Sequence, residues 1–191
     1  MSNKIALIDL DGTLADYDNA MRIALAGMQS PEERSVEQAN GPLAWDTPWL
    51  KARRDAIARV PGFWENLEPI SAGFKVFNTI VKIGFTPMVV SKGPSHKSRA
   101  WAEKFNWVRK HLPGVQLTLT EDKTLSYGRV LFDDWPGYYE PWLAVRPRGL
   151  VVALARPENE AFTNYADRIL RYRGDEDHSE LLVRLTAAFD R

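Results

Sequence analysis

Four apolar residues, Ile5 to Ile8, follow Lys4 without interruption and end at Asp9-Leu10-Asp11-Gly12. A strand that is apolar at every position is buried on both faces, which happens in parallel sheets covered by helices on each side. Ligands of such sheets collect at the C-terminal strand ends, where this run places its carboxylates. The runs Thr86–Ser91, Val115–Thr120, Val130–Asp133 and Leu150–Ala153 have the same character, with helical patterns between several of them. The alternation predicts an α/β fold around a largely parallel sheet.

The helices have legible boundaries. Ser71 is placed to cap a helix that carries Phe74, Phe77, Ile80 and Val81 inward and stops at Gly84, which suits the left-handed position past a helix end. Ser95 precedes another helix, in which Trp101, Phe105, Val108 and Leu112 recur at helical spacing as a core stripe before Pro113-Gly114. A final amphipathic helix covers Ser179 to Phe189. About 55 residues separate the Asp9 turn from Ser71, too many for an ordinary connection. Within them Met21, Ala24, Leu25 and Met28 share a helical face, and Thr47-Pro48 supplies a cap and first-turn pair ahead of a helix with Ala52, Ala56, Ile57 and Val60. This reading gives a small helical unit, residues 17–68, inserted into a core made of residues 1–16 and 69–191.

A chain of 191 residues supports one sizeable core with such an insertion. Its 25 Lys and Arg balance 25 Asp and Glu, so no overall field gathers long nucleic acid or an anionic membrane, and an anionic ligand has to be held locally. The absence of Cys excludes disulfides, thiol catalysis and thiolate metal sites. No apolar stretch approaches the roughly 20 residues that cross a bilayer, and the chain enters its first strand without a leader-like segment, so a cytoplasmic setting is expected.

Asp9 and Asp11 stand one residue apart at a strand end and point the same way. Three readings fit that pair: an oxygen-rich Mg²⁺ turn, a nucleophile with its acid/base partner, or an acidic turn with no role. Asp133-Asp134 ends a second apolar run, and Lys123 precedes it. Four carboxylates and a lysine at strand ends of one sheet make a divalent-metal and phosphate site.

The ordered set Asp9-Leu10-Asp11-Gly12-Thr13, Ser91, Lys123 and Asp133-Asp134 resembles the haloacid dehalogenase (HAD) superfamily of aspartate-nucleophile phosphatases. The blocks DLDGTLADY at 9–17, PGFWENLEPI at 61–70, AEKFNWVRKHLPG at 102–114, EDKT at 121–124 and VLFDD at 130–134 are similar, more narrowly, to the 5′(3′)-deoxyribonucleotidases over about 125 residues. The tail beyond about residue 145 matches no block.

The resemblance implies a HAD-like Rossmannoid sheet with a small helical cap, and a Mg²⁺-dependent phosphatase acting on (deoxy)nucleoside monophosphates through an aspartyl-phosphate. Asp9 is then the nucleophile and Asp11 the acid and base, while Asp9, Asp11, Asp133 and Asp134 supply the metal site. Lys123 offsets their charge. Ser91, Lys92, Lys104, Gly12 and Thr13 hold phosphate, and Tyr17, Phe63 and Trp64 form the apolar base and sugar pocket. Two positions depart from the family: Lys92 stands where a second small residue is usual, and Trp135 where an Arg is frequent. Lys92 is the cation expected to replace that Arg.

Of the remaining features, Trp45 and Trp49 read as core of the inserted unit, and Trp135, Tyr138, Tyr139 and Trp142 as either a site wall or a subunit interface. His96, His111 and His178 read as surface or cap residues, and Arg53-Arg54 and Arg171/Arg173 as solvated charge. A homodimer is compatible with all of this. The competing functions are the same chemistry on a sugar phosphate or a polynucleotide end, and a catalytically silent nucleotide-binding module.

Overall fold

The computed structural model describes residues 4–30, 48–161 and 164–191. Its elements are β1 (Ile5–Ile8), α1 (Tyr17–Ala26), α2 (Pro48–Ile57), α3 (Ser71–Ile83), β2 (Thr86–Lys92), α4 (Ser98–His111), β3 (Gln116–Thr120), β4 (Val130–Phe132), α5 (Pro136–Ala144), β5 (Leu150–Leu154), β6 (Ile169–Tyr172) and α6 (His178–Asp190). Six strands form one sheet in the order β3-β2-β1-β4-β5-β6, and each pairing is parallel. The α/β class and the five strands read from sequence are present; α5 and β6 are additions to that reading.

β1 lies at the centre, with Ile8 in register with Val89 of β2 and Phe132 of β4. Alternate residues of the strands go to opposite cores. Ala6 and Ile8 join the larger core with α3, α4 and α6, while Leu7, Val90, Leu131 and Val151 face Tyr139, Trp142 and Leu143 of α5. The aromatic cluster beside the acidic pair is therefore divided: Tyr139 and Trp142 are fully buried core, and Trp135 is about half exposed. The Trp142 indole also donates to Ser126 O at 3.2 Å.

Local corrections follow from what each side chain finds to bond. Ser71 is the first residue of α3, capped by Ile70 without a side-chain bond, and Gly84 takes the left-handed conformation as expected. Val81, Val60 and Met28 are exposed: Val81 on the outer side of α3, Val60 and Met28 beyond the ends of α2 and α1. In the insertion, Ala52 and Ala56 are exposed while Leu50 and Ile57 are buried, and Trp49 stacks outward beneath Arg53. Thr47 and Trp45 lie outside the described residues. Ser95 bonds Glu121, and α4 begins only at Ser98. The expected stripe on α4 is displaced: Phe105 is half exposed, and the buried face is Ala100, Glu103, Lys104, Trp107 and Val108.

The chain leaves for α1 and returns to α3 at one place. Asp16 N–H donates to Glu68 O and Ile70 N–H to Leu14 O, both at 2.8 Å, and Ala15 pairs antiparallel with Pro69. Gly73, one turn into α3, packs so tightly on the acidic turn that a Cβ there would lie 2.0 Å from Thr13 O.

Candidate active site

The strand order reverses its direction of growth at β1 and β4, and a crevice at such a switch point is where open α/β sheets bind ligands. Asp9 follows β1, Ser91 and Lys92 end β2, and Asp133 and Asp134 follow β4, so chain segments far apart in sequence meet at this crevice. Asp9 N–H donates to Phe132 O at 2.8 Å, which extends the β1–β4 ladder to the carboxylate itself.

The turn after Asp9 is shaped by Gly12. Its φ of +80° is accessible to Gly and strained for other residues, and a Cβ there would stand 2.6 Å from Asp134 Oδ2. Gly12 and Thr13, expected at the phosphate, use their bonding groups inside the turn. Gly12 N–H bonds Ala15 O, Thr13 N–H bonds Leu10 O, and the Thr13 hydroxyl donates to Asp134 Oδ1 at 3.0 Å. They fix the turn against the acidic pair.

Asp9, Asp133 and Asp134 are buried, and each offers an oxygen within 4.8 Å of the others. Lys123, buried in a short 3₁₀ turn after β3, donates to Asp9 Oδ1 and Asp133 Oδ2, both at 2.6 Å. Burial alone would discharge this ammonium, but Asp133 and Asp9 outweigh it and push its pKa upward. Two cations, Lys123 and Arg156, stand against three carboxylates. Burial therefore pushes Asp133 up to about 6 despite Lys123, and Asp134 up to about 8 despite Arg156. A cluster of hard oxygen donors that resists ionisation unless positive charge is added fits a divalent cation.

Asp11 is held differently. Lys104 donates to Asp11 Oδ2 at 2.5 Å, to Ser91 Oγ at 3.1 Å and to the Lys92 carbonyl at 2.7 Å. Burial raises the Asp11 pKa, Lys104 opposes that and Asp9 reinforces it. Asp11 Oδ1 is buried without a hydrogen-bond partner. A carboxyl group with a raised pKa and an unbonded oxygen is suited to proton transfer.

The Lys92 side chain is exposed, with its Nζ 5.3 Å from the centre of the Tyr138 ring, so it stands at the mouth and not at the acidic pair. The cation beside that pair is Arg156, which the sequence reading missed. It contacts Asp134 Oδ2 at 3.3 Å, donates to Gly12 O at 2.5 Å and pairs with Asp18 of α1. Asn159, fully buried, bonds the carbonyls of Asp134 and Leu154 and is itself held by Arg171. Arg171 is thus structural, and Arg173 is exposed as expected and pairs with Asp177. Arg54 bonds the Tyr17 hydroxyl, whose pKa burial raises. His111 stacks on Trp107 at 4.3 Å.

Tyr17, Phe63 and Trp64 form one aromatic group. Tyr17 stacks on Trp64 at 5.1 Å, and Phe63 meets both rings edge-on. Trp64 is buried, its indole donates to Ala58 O at 3.0 Å, and Lys104 Nζ lies 4.8 Å from its ring centre. With Tyr17 and Lys104 both against it, Trp64 is covered, while Tyr17 and Phe63 stay partly exposed.

Residues 3–184 match the family model for 5′ nucleotidase, deoxy (pyrimidine), cytosolic type C protein. The chain belongs to this family. It is a phosphoric monoester hydrolase with a HAD-like fold. Among relatives of this nucleotidase family, a Bordetella pertussis protein carrying the 5′(3′)-deoxyribonucleotidase name is 30% identical over 167 residues, 84% of this chain and 88% of that one. The human cytosolic-type 5′(3′)-deoxyribonucleotidase is 33% identical over 142 residues, 67% of this chain and 69% of its own. A HAD-like hydrolase structure from Xanthomonas campestris shares the fold, with a TM-score of 0.58, 14% identity and 98% of each chain covered. Among the described residues, no helix is long and apolar enough to cross a membrane.

Proposed function

We propose that this nucleotidase-family chain hydrolyses nucleoside monophosphates, with deoxyribonucleotides preferred, by way of an aspartyl-phosphate and with Mg²⁺ as cofactor. The observation that carries the reading is the division of labour between two carboxylates. Asp9 is fixed by Lys123 within the acidic cluster, and Asp11 is held apart by Lys104 with one oxygen open.

Asp9 attacks phosphorus in line as the ester bond breaks, and Asp11 delivers its proton to the departing ester oxygen. Asp11 then takes a proton from water, whose oxygen attacks the aspartyl-phosphate and releases inorganic phosphate with the Asp9 carboxylate restored. Ser91 and Lys104 supply hydrogen bonds and charge to the phosphoryl oxygens, and Lys92 adds a cation at the mouth. Mg²⁺ would be held by Asp9, the Asp11 carbonyl and the Asp133/Asp134 pair, and when bound it neutralises charge that otherwise repels the phosphate dianion. Residues 17–68 act as a cap that brings Tyr17 and Phe63 over the nucleoside. We place this enzyme in the cytosol.

A 2′-hydroxyl entering that apolar wall loses its water partners and gains none, at a cost on the order of 1–3 kcal/mol. Deoxyribonucleotides should therefore be favoured by roughly 5-fold to 150-fold in kcat/KM. Matched deoxy- and ribonucleoside monophosphates, assayed beside an end-phosphorylated oligonucleotide, test this. Equal rates on both sugars end the deoxy preference, and a faster oligonucleotide turns the reading into a polynucleotide phosphatase.

A further inference from the structure

We propose that Glu103 is a positioning residue that determines specificity: its carboxylate clamps the 62–64 loop and so sets the aromatic wall for a substrate's ring. This deepens the nucleotidase reading and rests on it. Glu103 is 6% exposed, and among the described residues no cation pairs with it. A buried carboxylate without a cation has to be satisfied by hydrogen-bond donors. Here they are two backbone N–H groups, Gly62 on Oε1 at 2.8 Å and Trp64 on Oε2 at 3.1 Å.

Those two amides bracket Phe63, so the carboxylate fixes the backbone on either side of a pocket face. The turn it holds is tight, since Gly62 has φ +83° and Asn66 bonds back to Gly62 O at 2.9 Å. Further along α4, Asn106 bonds Glu65 and Trp107 bonds Leu67 O, so one helix grips the whole 62–67 return. The next residue, Lys104, holds Asp11. Adjacent residues of a single core helix thus locate the proton donor and the ring-binding wall, and fix the spacing between them. A phosphate ester that has no ring uses only the first.

Glu103→Gln keeps the size and turns an amide NH₂ toward one of the two N–H groups. KM for deoxynucleoside monophosphates and for p-nitrophenyl phosphate should rise about tenfold, with kcat within about threefold. For acetyl phosphate, which carries no ring, kcat/KM should stay within about threefold. Without any substrate, amide exchange at Gly62 and Trp64 should quicken about tenfold, and in a Phe63→Ala background Glu103→Gln should add less than about twofold to KM. An equal loss on acetyl phosphate would mean that Glu103 acts through Lys104 and Asp11, and unchanged KM for both ring-bearing esters would remove its role altogether; either result overturns the proposal. If the wild type turns over p-nitrophenyl phosphate but no nucleotide, the nucleotidase reading falls, and p-nitrophenyl phosphate still decides on Glu103.

Discussion

The two ends of the proposed substrate crevice are built by different physics. At the phosphate end, buried charges hold one another: Lys123 bridges Asp9 and Asp133, and Arg156 ties Asp134 to the Gly12 turn. At the ring end, aromatic faces and backbone amides are gripped by α4. Removing one member of a buried charge network leaves its partner uncompensated, while trimming a ring removes only contact area. The first end should fail abruptly and the second by degrees.

The sharpest break is at Asp9. Asp9→Asn keeps the shape and removes the proposed nucleophile, so kcat should fall by about 10⁴-fold or more while circular dichroism stays unchanged. Activity within a factor of about ten would exclude the aspartyl-phosphate. Lys123→Met should lose activity too, and also destabilise the fold by about 3–5 kcal/mol in denaturant titration, because Asp9 and Asp133 are then buried without a cation.

The charge network also sets a pH dependence. Asp133 and Asp134 have pKa values raised to about 6 and about 8 by burial, so the fold binds their protons more tightly than the unfolded chain does. The stability from those bound protons is complete below about pH 4 and lost as pH rises through about 6 to 8. Metal-free protein should therefore show a falling contribution to Tm over that window, and Asp134→Asn should flatten it. Added Mg²⁺ should raise Tm more at pH 8 than at pH 5, since binding requires the ionised carboxylates.

At the ring end, Phe63→Ala should raise KM for nucleotides about tenfold and change acetyl phosphate turnover far less. On α4 the losses are of stability and depend on burial: Trp107→Ala, at a fully buried site, should cost about 3–5 kcal/mol, and the smallest effect of all, half-exposed Phe105→Ala, under about 0.5 kcal/mol. Equal losses at the two positions would contradict the buried face described here.

That last contrast shows where the sequence could be read and where it could not. Strands buried on both faces declare themselves by composition, so β1, β4 and β5, with the carboxylates that follow β1 and β4, were legible, and the less buried β2 and β3 showed as short runs between helical patterns. The apolar period on α4 selected Phe105 because Glu103 and Lys104 count as polar, yet both are buried by bonds made to distant segments. Their one visible signal was a charged pair inside a block already matched to the family. Arg156 carried none, lying in the unmatched tail and reaching Asp134 only through the fold. α5 escaped notice because PGYYEPWLA, with Pro141 inside it, has no helical stripe, and β6 because four residues with Arg171 among them do not read as a buried strand.

The paired backbones at Leu14–Asp16 and Glu68–Ile70 have a consequence for how such a chain can change. Everything between them is, to the sheet, a loop already closed at its base, and the cost of closing a loop grows by only about 0.6 kcal/mol for each doubling of its length. A change of length between those pairings should therefore leave the register of the acidic turn beneath unchanged.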